Sequence, residues 1–206
     1  ELVDIIENKC SDEGGYLEAF DIYFKPAGND KLSENGVEAG RTMNTLLHVF
    51  EAYTELYRVD KKTEIANKLR WMLDIFVDKM YNPVLKRQEV FFDMDYNTLI
   101  DLHSYGHDIE TAWLLDRGLD VLQDEAYSKK LAPVISTLEE NVYCLAFDGN
   151  ALYNECEKGV NDTRRIWWVQ AEAMVGFLNA YTKQPEKTEY IQAVEKIWAY
   201  IKEYII

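Results

Sequence analysis

The segment Ser104-Tyr105-Gly106-His107-Asp108-Ile109-Glu110-Thr111-Ala112-Trp113 places an imidazole, a carboxylate and an indole at successive three-residue steps. On a helix, residues three apart are neighbours on one surface, so His107, Glu110 and Trp113 form a row. A group that titrates near neutrality, a carboxylate to orient it and an aromatic platform are what proton transfer on a sugar requires. His107 and Glu110 are therefore read as an acid/base pair. A helix N-terminus favours the neutral imidazole and Glu110 favours the imidazolium, so the protonation state is open at this level.

The same spacing recurs at His48 and Glu51, and a related pattern, Gln170-Ala171-Glu172, follows further on. The intervals are roughly 60 residues, longer than the ~34–47 of common helical-hairpin repeats. Trp167 and Trp168 precede the third pattern. Neighbours on a helix point about 100° apart, so one indole is assigned to the core and the other to the site. Trp168 shares a face with Glu172 and is the site candidate. Asn44, four residues before His48, is placed to bind a hydroxyl, although asparagine near a helix start also serves as a cap. His103, in the loop before the helix, is read as structural.

These residues need rigid elements behind them. Apolar positions recur at three-to-four spacing over 43–58, 62–80, 105–122, 126–145, 166–182 and 188–205, which predicts three helix pairs. Gly40 and Ser104 stand near two of the starts, and Asn82-Pro83 closes one helix. Long connections over 11–40, 81–104 and 146–165 separate the pairs, and loops of that length are usually functional. A short hairpin is expected where Gln88 to Phe92 meets Asp93-Met94-Asp95. Hairpins wound side by side make a toroid, with first helices inside and second helices outside. The polar rows then converge at one mouth, near the inner-helix N-termini.

The 206 residues suit one domain, 1–206. A net charge of -15 disfavours nucleic acid and anionic membranes as partners. Cys10, Cys144 and Cys156 lack CxxC spacing, so neither a disulfide framework nor a zinc site is expected, and a reducing, cytoplasmic setting fits. No signal peptide or membrane-length apolar run is read in the chain. Nucleotide-binding loops, GxSxG and HExxH are missing from the sequence. No cofactor and no metal are expected.

Taken together, three stretches resemble the N-acylglucosamine 2-epimerase family, and most closely its cellobiose 2-epimerase branch. They are Met43-Asn44-Thr45-Leu46-Leu47-His48 with Glu51-Ala52-Tyr53, Ser104 to Glu110, and Trp167 to Glu172. Gly15-Tyr16-Leu17-Glu18-Ala19-Phe20 and Leu32-Ser33-Glu34-Asn35-Gly36 extend the similarity. The resemblance implies an all-α, (α/α)6-barrel fold and cofactor-free epimerisation at C2 of a reducing-end sugar in a β-1,4-linked disaccharide such as cellobiose. It implies ring opening, proton removal by a histidine and return of a proton to the opposite face through an enediolate. By that likeness His107 is an acid/base group oriented by Glu110; His48, Asn44 and Glu172 bind or polarise substrate; Trp113 and Trp168 pack on the rings.

Members of that family are about twice as long, with a second acid/base histidine and a substrate-binding arginine in flanking segments. The expectation is a partial toroid of three hairpins lacking N- and C-terminal helices, inactive alone and open to pairing as a homodimer. Two other functions compete. One is an aldose–ketose isomerase on the same barrel; the other is a non-catalytic helical scaffold for glycan or protein. A glycoside hydrolase is disfavoured, because each helical carboxylate accompanies a histidine or glutamine rather than a second carboxylate across the bond.

Overall fold

The computed structural model describes residues 1–29 and 36–206. The stretch Leu32–Asn35, part of the family resemblance, lies outside the described residues. Six apolar-periodic segments form helices close to the expected bounds. They are α2 (Met43–Val59), α3 (Thr63–Ile75), α4 (Tyr105–Leu122), α5 (Glu125–Ala146), α6 (Trp167–Lys183) and α7 (Thr188–Tyr204). A wider π-type turn over Phe76–Met80 extends α3. A further short helix, α1 (Leu2–Lys9), was not expected from sequence. It is tied down by Glu7, whose carboxylate accepts from the hydroxyls of Tyr16 and Tyr53 and pairs with Lys68.

The helices alternate between two layers. Helices α2, α4 and α6 lie side by side, and α3, α5 and α7 each back onto the inner helix before them. Neighbouring inner helices run in the same direction, since residues at matching depths meet. Asn44 meets His107 near the N-terminal ends, and Asp116 meets Asn179 near the C-terminal ends. Close approach of these helices depends on missing side chains. A methyl on Gly118 of α4 would sit 2.2 Å from Phe50 of α2, and one on Gly176 of α6 would sit 2.4 Å from Ile109 of α4.

Helix α4, between the other two inner helices and against α5, is buried on most sides. That explains why apolar residues encircle it rather than forming one stripe. One core cluster spans α2–α5 and contains Phe50, Phe76, Leu73 and Leu115; a second joins α4–α7 around Phe177, Tyr190 and Ile109.

Short strands gather at the N-terminal ends of the inner helices. They are β1 (Arg41–Thr42), β2 (Tyr81–Asn82), β3 (Arg87–Gln88), β4 (Phe91–Phe92), β5 (Leu102–Ser104), β6 (Glu155–Glu157) and β7 (Val160–Asp162). The hairpin expected at 88–95 is redistributed. Gln88 pairs backward with Tyr81, and Phe91–Phe92 pair with β1, while Asp93–Asn97 make a tight turn closed by a Phe92–Thr98 bridge. The sheet β5–β6–β7 leads straight into α4. Among the described residues, no helix is long and apolar enough to cross a membrane.

Candidate active site

The fold brings the chemistry-bearing rows of α2, α4 and α6 onto one concave wall. His107, in the first turn of α4, is held from both sides. Its Nδ1 lies 2.7 Å from Ser104 Oγ and its Nε2 lies 3.0 Å from Asn44 Oδ1. The Trp168 indole leans on the imidazole, with ring centroids 4.8 Å apart. Trp168 reaches that position because Gly106 has no side chain; a methyl there would come within 2.6 Å of the indole. Burial, together with the nearby His48, pushes His107 down to about 4, so the imidazole is neutral at pH 7.

The expected partnership of His107 with Glu110 is not the one the structure makes. Both nitrogens of His107 are engaged by Ser104 and Asn44, and Glu110 turns towards α2, with Oε1 4.0 Å from His48 Nδ1. His48 Nδ1 also lies 3.4 Å from Glu51 Oε2. The i,i+3 rule identifies side chains that can meet but not the competitors on a neighbouring helix. Ser104, read only as a helix-start residue, is the partner that sequence reasoning missed, and its own i,i+3 spacing to His107 was the available signal.

Glu110 is almost fully buried, and burial, with the charges of Glu172 and Glu51, pushes it up to about 8. It is therefore a neutral carboxylic acid at pH 7. Glu172 is also raised, mainly by burial, while a hydrogen bond from Trp113 Nε1 at 2.9 Å partly stabilises its charged form. A neutral imidazole, a carboxyl held protonated by burial, a half-exposed histidine and two indoles thus share one surface. From it a cavity of about 520 Å³ extends along the wall, lined by Glu51, Trp113, Arg117, Val175 and Asn179 among others.

Of the two tryptophans, Trp167 differs from expectation. Trp167 is 68% exposed rather than in the core, and Trp168 is half-buried against His107. Gln170 leaves the wall altogether. It is fully buried, and its amide bonds both the N–H and the C=O of Leu152 at 2.8 and 2.9 Å. Trp168 and Glu172, on either side of it, are the residues of α6 that face the site. Asn44 is not a cap, since Thr42 Oγ1 accepts from Thr45 N and caps α2. His103 is buried and bonded to Asp108, as a structural histidine should be.

Parallel inner helices, each backed by an outer one, with polar rows meeting at one mouth, define three hairpins of an α/α barrel with histidines and carboxylates on its inner wall. The chain belongs to the N-acylglucosamine 2-epimerase (GlcNAc 2-epimerase) family, whose model matches residues 19–206. Relatives include a cellobiose 2-epimerase of Ruminococcus albus, 44% identical over all of this chain and 52% of the relative. Another, from Eubacterium cellulosolvens, is 48% identical over 97% of this chain and 53% of its own length. Among solved structures, a sugar epimerase from a ruminal bacterium superposes with a TM-score of 0.95 at 44% identity, covering 100% of this chain and 52% of that one. The chain spans about half the length of the curated relatives it matches. Its fold is that of the (α/α)6-barrel epimerases, represented here by three of the hairpins.

Proposed function

We propose that these residues form the central part of a sugar 2-epimerase that inverts C2 of the reducing-end unit of a β-1,4-linked disaccharide such as cellobiose. The observation that carries this reading is the state of His107, a neutral imidazole braced at Nδ1 with Nε2 directed along the concave wall. Asn44 occupies the position that a substrate atom would take in front of Nε2. With the sugar ring open, C2–H is acidified by the adjacent C1 carbonyl. In the structure Nε2 faces the acceptor Asn44 Oδ1 and so carries the ring proton. With substrate in place of Asn44 and the ring proton on Nδ1, donating to Ser104 Oγ, Nε2 accepts the C2 proton. The C–H electrons then move into the C1–C2 bond, and the carbonyl oxygen becomes an enediolate oxygen. Neutral Glu110 and His48 stand on the same wall to donate to it. Removal of such a base costs about 10²–10⁴-fold in rate.

Inversion requires a proton to reach the other face of C2. The groups described here all lie on one wall, so a substrate resting on it presents one face to them. In this reading the second acid comes from residues facing this wall, and the 206-residue chain does not turn over alone. Trp113 and Trp168 provide apolar surfaces for the sugar rings, as expected of aromatic platforms. The names of four relatives at 40–48% identity, each a cellobiose 2-epimerase, support the substrate class.

The test is deuterium incorporation at C2 of cellobiose in D₂O, comparing this chain with a protein of full family length. Exchange in the longer protein, abolished by His107→Ala, is the expected result. Exchange without inversion, yielding a ketose, would replace epimerase with isomerase. Exchange unaffected by His107→Ala would remove His107 from the reaction.

A further inference from the structure

We propose that Asp108, together with His103, is a positioning pair that sets the imidazole of His107 without touching substrate. The inference rests on His107 being the acid/base group and adds a residue behind it.

Ser104 occupies the N-cap position of α4, yet its side chain makes no cap bond. Its hydroxyl is spent on His107 Nδ1 instead. A helix start without its cap is less stable locally and frays. In α2 Thr42 performs that task, but in α4 another device must hold the first turn. Asp108 does so. Its carboxylate is 1% exposed, accepts from the backbone N–H of Gln88 at 3.1 Å, and lies 2.7 Å from Nε2 of His103. His103 is itself 4% exposed and leans on Tyr105. A carboxylate in the first helical turn is also favourable towards the helix dipole.

The topology gives the pair a specific effect. His103 is in strand β5 and Asp108 in the first turn of α4, so their contact closes a small loop containing Ser104 and His107. The Ser104–His107 hydrogen bond lies within that loop. Fixing its ends holds the hydroxyl within hydrogen-bonding distance of Nδ1, where it donates, and with Asn44 Oδ1 accepting at the other nitrogen the ring proton is kept on Nε2. The bond to Gln88 ties the loop to strand β3, which pairs with β2 rather than with the α4 sheet. Three separate segments therefore agree on the position of one turn.

The experiment uses the chain labelled with ¹⁵N-histidine, whose ring nitrogen shifts report the tautomer of His107. His103→Phe keeps a ring against Tyr105 but removes the donor to Asp108, His103→Gln restores a donor, and Asp108→Asn removes the charge at constant shape. Wild type should show one neutral tautomer. Tautomer averaging in His103→Phe and Asp108→Asn, reduced in His103→Gln, is the expected result. In the protein of full family length the same two variants should lower kcat for C2 exchange by roughly 10- to 100-fold, with KM changed less than about twofold. Wild-type ring shifts in folded His103→Phe and Asp108→Asn would overturn the proposal. Failure of Asp108→Asn to fold would also overturn it, by showing a role in the fold as a whole. The ring shifts decide the matter even if His107→Ala leaves exchange intact, an outcome that would count against the functional reading instead.

Discussion

Trp113 Nε1 donates to Glu172 Oε2 at 2.9 Å, joining the middle of α4 to α6 across the concave wall. The bond gives a half-buried carboxylate a neutral donor and holds an indole that lines the cavity. Trp113→Phe removes the donor and keeps most of the apolar surface. A hydrogen bond to a charged group contributes about 1.5–3 kcal/mol. We expect the melting temperature to fall by several degrees at pH 7, at ~2–4 °C per kcal/mol for a chain of this size. Glu172→Gln in the Trp113→Phe background should recover part of the loss, because a neutral amide tolerates the site better. Thermal denaturation of the two variants checks both statements.

His107 should remain neutral far into acid. Its folded-state value is pushed to about 4 by burial and by His48, below the ordinary 6.5. A depressed value means that stability from this group is intact above about 6.5 and is lost as pH falls through about 4. Ring-proton NMR of the three histidines, assigned with a His107→Gln variant, should show the His107 resonance unmoved between pH 8 and 5.5. A midpoint near 6.5 would contradict the burial argument.

Glu110 carries the opposite sign. Its folded value is raised to about 8, so its contribution to stability is complete below about 4.5 and is lost as pH rises through about 8. Glu110→Gln, which keeps the shape of the neutral acid, removes that dependence. The variant should gain in melting temperature relative to wild type at pH 8.5 compared with pH 5. In the proposed reaction the same substitution keeps a donor but loses the transferable proton, so C2 exchange should fall while binding is kept. Equal melting differences at the two pH values would show that Glu110 is ionised at neutrality.

Gly118→Ala tests the close approach of the inner helices. The new methyl would meet the Phe50 ring at 2.2 Å. Overpacking of this kind costs about 1–3 kcal/mol, against ~0.5–1 kcal/mol regained from the better helix propensity of alanine. A net loss is expected, reversed in part by Phe50→Leu in a double-mutant cycle. Calorimetry or denaturant titration gives the coupling directly.

Sequence alone determined the six long helices, because apolar periodicity over more than ten residues leaves few alternatives. His107, Glu110, His48, Asn44, Trp168 and Glu172 were also legible as candidates from residue type and spacing. Their pairing was decided only by tertiary structure. Spacing along one helix gave His107 to Glu110, yet the neighbouring inner helix supplied Asn44 to His107 and His48 to Glu110, and the strand before α4 supplied Ser104. Gln170 matched the repeat but rotated into the core, because a buried loop carbonyl and N–H at Leu152 required partners more than the wall required an amide. Apart from the strand at Phe91–Phe92, the short strands were illegible because two- and three-residue pairings have no periodicity of their own and exist only where long helices bring loops together. Protonation states lay equally beyond the sequence. Type and spacing left His107 balanced between acid and base, and burial, a property of the packed chain alone, made it neutral.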